Sequence, residues 1–104
     1  MSGASRAKGV RGEHELRAIF ERYGWAVVAA QRNLGGAQGD ALAMRGGVVL
    51  HVECKRRERI NVWELIAQME AEAGPGTLPV GGFRRNRSPW YGVVRLDTLA
   101  ERLA

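Results

Sequence analysis

Asp40, Glu53 and Lys55 are the residues whose types and spacing could do chemistry. Glu53-Cys54-Lys55 ends the run Val48-Val49-Leu50-His51-Val52, which reads as a β-strand opened by the turn Gly46-Gly47. Side chains alternate along a strand, so His51, Glu53 and Lys55 share one face and Leu50, Val52 and Cys54 the other. A carboxylate and an ammonium thus emerge together from a strand whose remainder is apolar. Burying such charges is costly unless they pair or bind something. A turn centred on Gly46-Gly47 pairs this strand with a shorter one, Asp40-Ala41-Leu42-Ala43-Met44, and sets Asp40 across from Glu53. Two carboxylates with a backbone carbonyl and waters form an oxygen-rich site suited to Mg²⁺ or Mn²⁺. Lys55, on the face of Glu53, can orient an attacking water or stabilise charge at phosphorus. The competing reading is a structural ion pair at a strand end.

Composition bears on that choice. With 104 residues, the chain forms one small domain, residues 1–104, with a single core. A net charge of +5 favours a polyanionic partner, nucleic acid before an anionic membrane surface. Of sixteen basic residues, Lys8 and Lys55 alone are lysines. A plain surface cation in this chain is usually Arg, so Lys55 points to a role for a compact, titratable ammonium. No run has the length of a transmembrane helix, and the N-terminus lacks the apolar core of a signal peptide. The single cysteine, Cys54, excludes an internal disulfide or a multi-cysteine zinc site. His14 and His51 are too few for a His-rich metal site. The phosphate-loop pattern Gly-x-x-x-x-Gly-Lys is absent, so no nucleotide cofactor is expected.

These residues need elements to position them. Met1 to Gly9 reads as a flexible basic arm. Leu16, Ile19, Phe20 and Tyr23 recur at helical spacing over 10–23, with Gly24 as the stop. Glu13 lies one turn before Leu16, beside that buried face. It is either a first-turn acid that suits the helix dipole or a third carboxylate delivered to the cluster. Glu15, Arg17 and Arg22 are expected to point elsewhere. Residues 25–31 read as a strand and 32–39 as a polar, Gly-rich loop. Asn61 with Glu64 resembles a capping box for a helix to about Ala73, whose stripe is Val62, Leu65, Ile66 and Met69. Gln68 flanks that stripe and is either a surface residue or turned to the cluster. A strand over 78–85, weakened by Gly81 and Gly82, turns through 86–89 into another over 90–95. Thr98 with Glu101 can cap a short last helix carrying Leu99 and Leu103.

Candidate phosphate contacts are Lys8 in the arm, Arg11, Arg32 in the loop, and Arg56 and Arg57 leaving the central strand. Arg84, Arg85 and Arg87 join them, and beside Trp90 and Tyr91 they form a basic-aromatic patch suited to phosphate contact and base or sugar packing. The alternative is an Arg-decorated hairpin with core aromatics.

Gly39-Asp40, twelve intervening residues, then Glu53-Cys54-Lys55 resembles the PD-(D/E)xK nuclease motif. The opening Lys8-Gly9-Val10-Arg11-Gly12-Glu13-His14-Glu15-Leu16 resembles that of archaeal-type Holliday-junction resolvases. The blocks 53–63 and 83–90 resemble small phage-type PD-(D/E)xK endonucleases, so the likeness covers nearly the whole chain. It implies an α/β restriction-endonuclease-like fold, a central mixed sheet of about five strands flanked by helices. It implies Mg²⁺-dependent phosphodiester hydrolysis with the metal on Asp40, Glu53 and the Cys54 carbonyl. Lys55 becomes catalytic, Glu13 an additional active-site acid, and Gln68 matches an active-site Gln of some relatives. The substrate class implied is branched DNA cut by a homodimer, in the cytoplasm of a bacterial or phage-infected cell. A flap, single-strand or nicking endonuclease, or a DNA-binding module without chemistry, is the alternative. Two features depart from the pattern: Gly39 stands where Pro is usual, and the polar residue that resolvases carry before the Asp, often Ser, has Gln31, Arg32, Asn33 and Gln38 as candidates here, none of them assigned.

Overall fold

Gly46 and Gly47 take φ values of 57° and 83°, the left-handed geometry that a two-residue hairpin turn requires. The turn joins β2 (Asp40–Arg45) to β3 (Val48–Arg56) in a computed structural model that describes residues 3–29 and 40–103. The antiparallel register runs from Arg45 opposite Val48 to Asp40 opposite Glu53, as the turn predicts. β1 (Ala26–Ala29) pairs antiparallel with the far edge of β2. From β3 the chain crosses through α2 (Val62–Glu72) and returns as β4 (Leu78–Arg84), parallel to β3. β5 (Tyr91–Val93) closes the far edge antiparallel to β4. The sheet is therefore mixed, with the order β1-β2-β3-β4-β5.

α1 (Gly3–Arg22) covers one face of the sheet and α2 the other. Leu16 of α1 packs on Val52 and Cys54 with Phe20, Leu50, Val80 and Trp90 around them. A second cluster joins Val27, Ala41 and Ala43 to Phe20, Trp25 and Leu50. Arg17 ties the helix to β1 by donating Nη2–H to the Val27 carbonyl at 2.7 Å. Gly24, at φ 88°, ends α1 with the Trp25 amide donating to Phe20 O at 3.1 Å, a six-residue closing turn. Asn61 caps α2 as expected, its Oδ1 accepting from the Glu64 amide at 3.2 Å. A turn at Gly74-Pro75-Gly76-Thr77 leads into β4, with the Thr77 amide on Gly74 O at 3.2 Å.

Several expectations are corrected. The stretch read as an arm is helical from Gly3: once residues 10–22 nucleate a helix, adding the Ala- and Arg-containing turns before it costs little. Tyr23 is 65% exposed because Gly24 ends the helix before its ring can reach the core. The last helix, α3, is Leu96–Leu103; it begins before Thr98, and Asp97 Oδ1 accepts from the Thr98 amide at 2.8 Å. β1 starts at Ala26, since Trp25 turns its ring onto Phe20 at 5.5 Å, edge to face.

Gly81 and Gly82, which weakened the sequence case for β4, are what let the helices settle. A Cβ at Gly82 would stand 2.8 Å from Leu16 Cδ1 of α1. A Cβ at Gly81 would stand 3.0 Å from both Leu65 Cγ and Met69 Sδ of α2, and 2.9 Å from Val93 Cγ1. Gly82→Val should therefore destabilise the fold by about 1–3 kcal/mol through overpacking. Gly74→Ala, where nothing lies within 4 Å of the new methyl, should stay within about 0.5 kcal/mol of wild type. Urea unfolding of the two variants checks the contrast.

Candidate active site

Strand alternation sorts the side chains of β3 between the two helices. Cys54 and Arg56 face α1; His51, Glu53 and Lys55 face α2. His51 and Glu53 are buried, Glu53 at 1% exposure. A carboxylate so far from water must be met by positive charge. Lys55 Nζ lies 3.9 Å from Glu53 Oε2 and supplies part of it. The register sets Asp40 opposite Glu53, at the last rung of the β2–β3 ladder. β3 runs on to Arg56, so among the described pairings Cys54 to Arg56 have a ladder neighbour on the β4 side alone.

Lys55 opens into a cavity of about 210 Å³, lined also by Arg57, Ile60, Asn61, Glu64, Leu65 and Gln68. Gln68 is thus turned toward the strand-end lysine, its half-buried position set by Leu65 and Met69 on the buried stripe beside it. Glu64, read in the sequence as a capping residue, adds a carboxylate to that lining. Its place was legible from its position one turn before Gln68.

Glu13 comes from the other side. It is half-buried on α1, over the face of β3 that carries Cys54. Burial pushes the Cys54 thiol up to about 12, with the negative charges of Glu13, Glu53 and Glu15 adding to it. The thiol therefore stays protonated, and any metal role for Cys54 belongs to its carbonyl. Gly12 allows this approach: a Cβ there would meet Arg56 Cβ and Cys54 Sγ, each at 3.2 Å.

Glu15, expected to point away, is the hub of the α1 face. Its Oε1 accepts from Trp90 Nε1 at 3.0 Å and from Arg84 Nη1 at 3.1 Å. Arg56 Nε lies 3.4 Å from both of its oxygens. One carboxylate thus joins α1 to β3, to β4 and to Trp90. Arg56 and Arg84, read from sequence as phosphate contacts, are thus drawn into an ion-pair cluster on this face. Both are half-buried and held to Glu15 because register places them side by side on the α1 face. It also moves Trp90 from the basic-aromatic patch into the core.

Arg57, Arg85 and Arg87 remain exposed, as does Arg11 on α1. Arg87 takes φ 64°, a left-handed conformation uncommon for a residue with a Cβ. The turn that carries it is closed by the Ser88 amide on Arg85 O at 3.2 Å and anchored by the Asn86 amide on Glu58 Oε2 at 2.7 Å. Arg32, the loop 30–39 and the side chains of Lys8 and Asp40 lie outside the described residues.

Comparison with known proteins decides the family. The model of the archaeal Holliday junction resolvase (Hjc) family matches residues 4–72, about two thirds of the chain. The chain belongs to the archaeal Holliday junction resolvase family. Its fold is similar to that of Archaeoglobus fulgidus Hjc, a Holliday junction resolvase from an archaeal hyperthermophile. The TM-score is 0.57 at 19% identity, over 84% of this chain and 72% of that one. No curated protein matches the chain. The family match spans α1, β1, β2, β3 and α2, the elements that bear Glu13, Asp40, Glu53, Lys55 and Gln68; β4, β5 and α3 lie beyond it.

The donor set at the end of β3 suits a hard dication: a buried carboxylate, a second acid paired to it in register, and backbone carbonyls. Among the described residues no three His, Cys, Asp or Glu side chains form a complete cage.

Two measurements check this electrostatic layout. Glu15→Ala leaves two half-buried guanidinium groups and an indole N–H without their shared acceptor, and should cost about 1–3 kcal/mol in urea unfolding. Arg95→Ala, which breaks the exposed 2.9 Å pair with Asp97, should leave the urea midpoint unchanged. With its thiol near 12, about one Cys54 in a thousand is ionised at pH 9. Iodoacetamide at that pH should alkylate the folded chain far more slowly than the urea-unfolded chain.

Proposed function

We propose that this family member is a Mg²⁺-dependent endodeoxyribonuclease of the PD-(D/E)xK type that cuts Holliday junctions. The observation that carries the reading is Glu53 at the end of β3. Its carboxylate is 1% exposed, has Lys55 Nζ at 3.9 Å and is paired in register with Asp40. A plain strand-end ion pair would sit in solvent. Here the pair is drawn into the protein beside a cavity open enough for a phosphate.

Asp40, Glu53 and the Cys54 carbonyl would hold Mg²⁺, with Mn²⁺ able to replace it. The bound ion supplies Lewis acidity toward the phosphoryl oxygens and a lowered pKa for a bound water. Lys55 holds its ammonium on the same face, where it orients the attacking water and offsets charge building on the phosphoryl oxygens. Gln68 reaches the lysine's cavity from α2 and helps to place that water. Glu13 adds negative charge from the α1 side of β3. Arg57, Arg85 and Arg87 meet phosphates on either side of the cut, and the net charge of +5 draws the DNA backbone to an acidic site. Two symmetric nicks need two such sites, so the active form is a homodimer on a two-fold axis.

The test is cleavage of matched labelled substrates with Mg²⁺: a four-way junction, a flap, a continuous duplex and a single strand. The junction should be cut fastest. Asp40→Asn, Glu53→Gln and Lys55→Ala should each slow cleavage at least about a hundredfold. Their junction affinity in Ca²⁺ should stay near that of wild type. Wild-type rates from Asp40→Asn would remove the metal assignment. A wild-type protein that binds every substrate and cuts none would be a binding module on a nuclease fold.

A further inference from the structure

β3, β4 and β5 carry one row of side chains across the α2 face of the sheet. Lys55 is in register with Phe83, and Phe83 with Tyr91. Neighbouring strands lie about 4.8 Å apart, so the rings stand one and two strands from the lysine. Their centroids are 6.3 Å apart at an interplanar angle of 33°. With Ile60, Val62 and Arg85 they line an open cavity of about 350 Å³. α2 packs on β3 and β4, β5 is the edge of the sheet, and Tyr91 is 57% exposed.

We propose that this cavity takes one unstacked nucleobase of the strand whose phosphate faces Lys55, held against Phe83 and Tyr91. The proposal rests on the endonuclease reading and gives that site its means of choosing branched DNA. Phosphate contacts follow the path of the backbone and carry nothing directly about whether a base is stacked. An aromatic surface does distinguish, since a base reaches it only after leaving its stack, and that costs least where pairing is already interrupted. Every base has a π-face, so such a pocket selects structure and tolerates sequence.

The lining fits a nucleotide better than an apolar partner surface. Arg85 is part of it, and Arg87 is exposed in the adjoining turn, in place for the phosphates flanking an extruded base. The acid in the lining, Glu58, is turned to the Asn86 amide at 2.7 Å. Lys55, Phe83 and Tyr91 sit on successive strands about 4.8 Å apart, a spacing on the scale of one nucleotide. Phe83 and Tyr91 both lie beyond residues 4–72, so this surface is set by the part of the chain that the family match does not cover.

The experiment uses the full chain with Ca²⁺ to hold the uncut complex. Tyr91→Ala should weaken binding of a four-way junction about tenfold and leave duplex affinity unchanged, while Tyr91→Phe should bind both as wild type does. A 5-iododeoxyuridine next to the scissile phosphate should photocross-link to Phe83 or Tyr91. Equal loss on junction and duplex would overturn the proposal. So would a Tyr91→Ala protein that falls from dimer to monomer in gel filtration, which would assign the surface to a second copy. A junction that is cut yet gives no cross-link removes the base pocket alone. A wild-type protein that cuts no junction removes the endonuclease reading, and the pocket falls with it.

Discussion

The centre of the sheet has to be thin. At Gly81-Gly82, β4 presents no side chain to either helix, and Leu16 settles over one face while Leu65 and Met69 settle over the other. Everything that reaches β3 depends on those two approaches. α1 comes down far enough for Gly12 to touch Cys54 and Arg56, which brings Glu13 and Glu15 to the strand. α2 comes down far enough for Gln68 to share a cavity with Lys55. A side chain at either glycine would lift a helix and carry its polar residues with it. The glycines that make β4 a poor strand by local propensity make it a good one by packing.

The two faces of β3 then solve the same electrostatic problem in opposite ways. On the α1 face a carboxylate meets two guanidinium groups and an indole N–H, a largely satisfied cluster that knits helix to sheet. On the α2 face a more deeply buried carboxylate has an ammonium at 3.9 Å, and the space beside that ammonium is open. The first arrangement spends its charges on structure. The second keeps its carboxylate buried and its ammonium at the edge of an open cavity. That contrast also sorts the arginines: Arg56 and Arg84 are bound inside the protein, whereas Arg57, Arg85 and Arg87 face outward.

The hairpin was legible in the sequence because its information is local. Gly46-Gly47 fixes the turn, and the turn fixes each later pair, including Asp40 with Glu53. Gln68 was half legible, since its helical spacing from Leu65 allowed two faces and only the fold chose between them. Glu15 was not legible at all. Its partners are 41 to 75 residues away, and no spacing on α1 marks it as different from Arg17. With Glu15 expected to point elsewhere, nothing in the sequence marked Arg56, Arg84 and Trp90 as sharing an acceptor.

Family membership and site geometry speak to different questions. The matched elements bear the acid-lysine strand end, and chemistry at phosphorus asks for little more than that. The choice among DNAs can draw on more than those charges, since a single phosphate carries nothing directly about the stacking of the base beside it. On the proposal made for the α2 face, a group that senses whether a base is stacked adds that information. On the α2 face, the described side chains that continue the row of Lys55 are Phe83 and Tyr91, on strands beyond the match. On that proposal the strand end supplies the chemistry and the row beyond it adds the sense of stacking, on one face of one sheet.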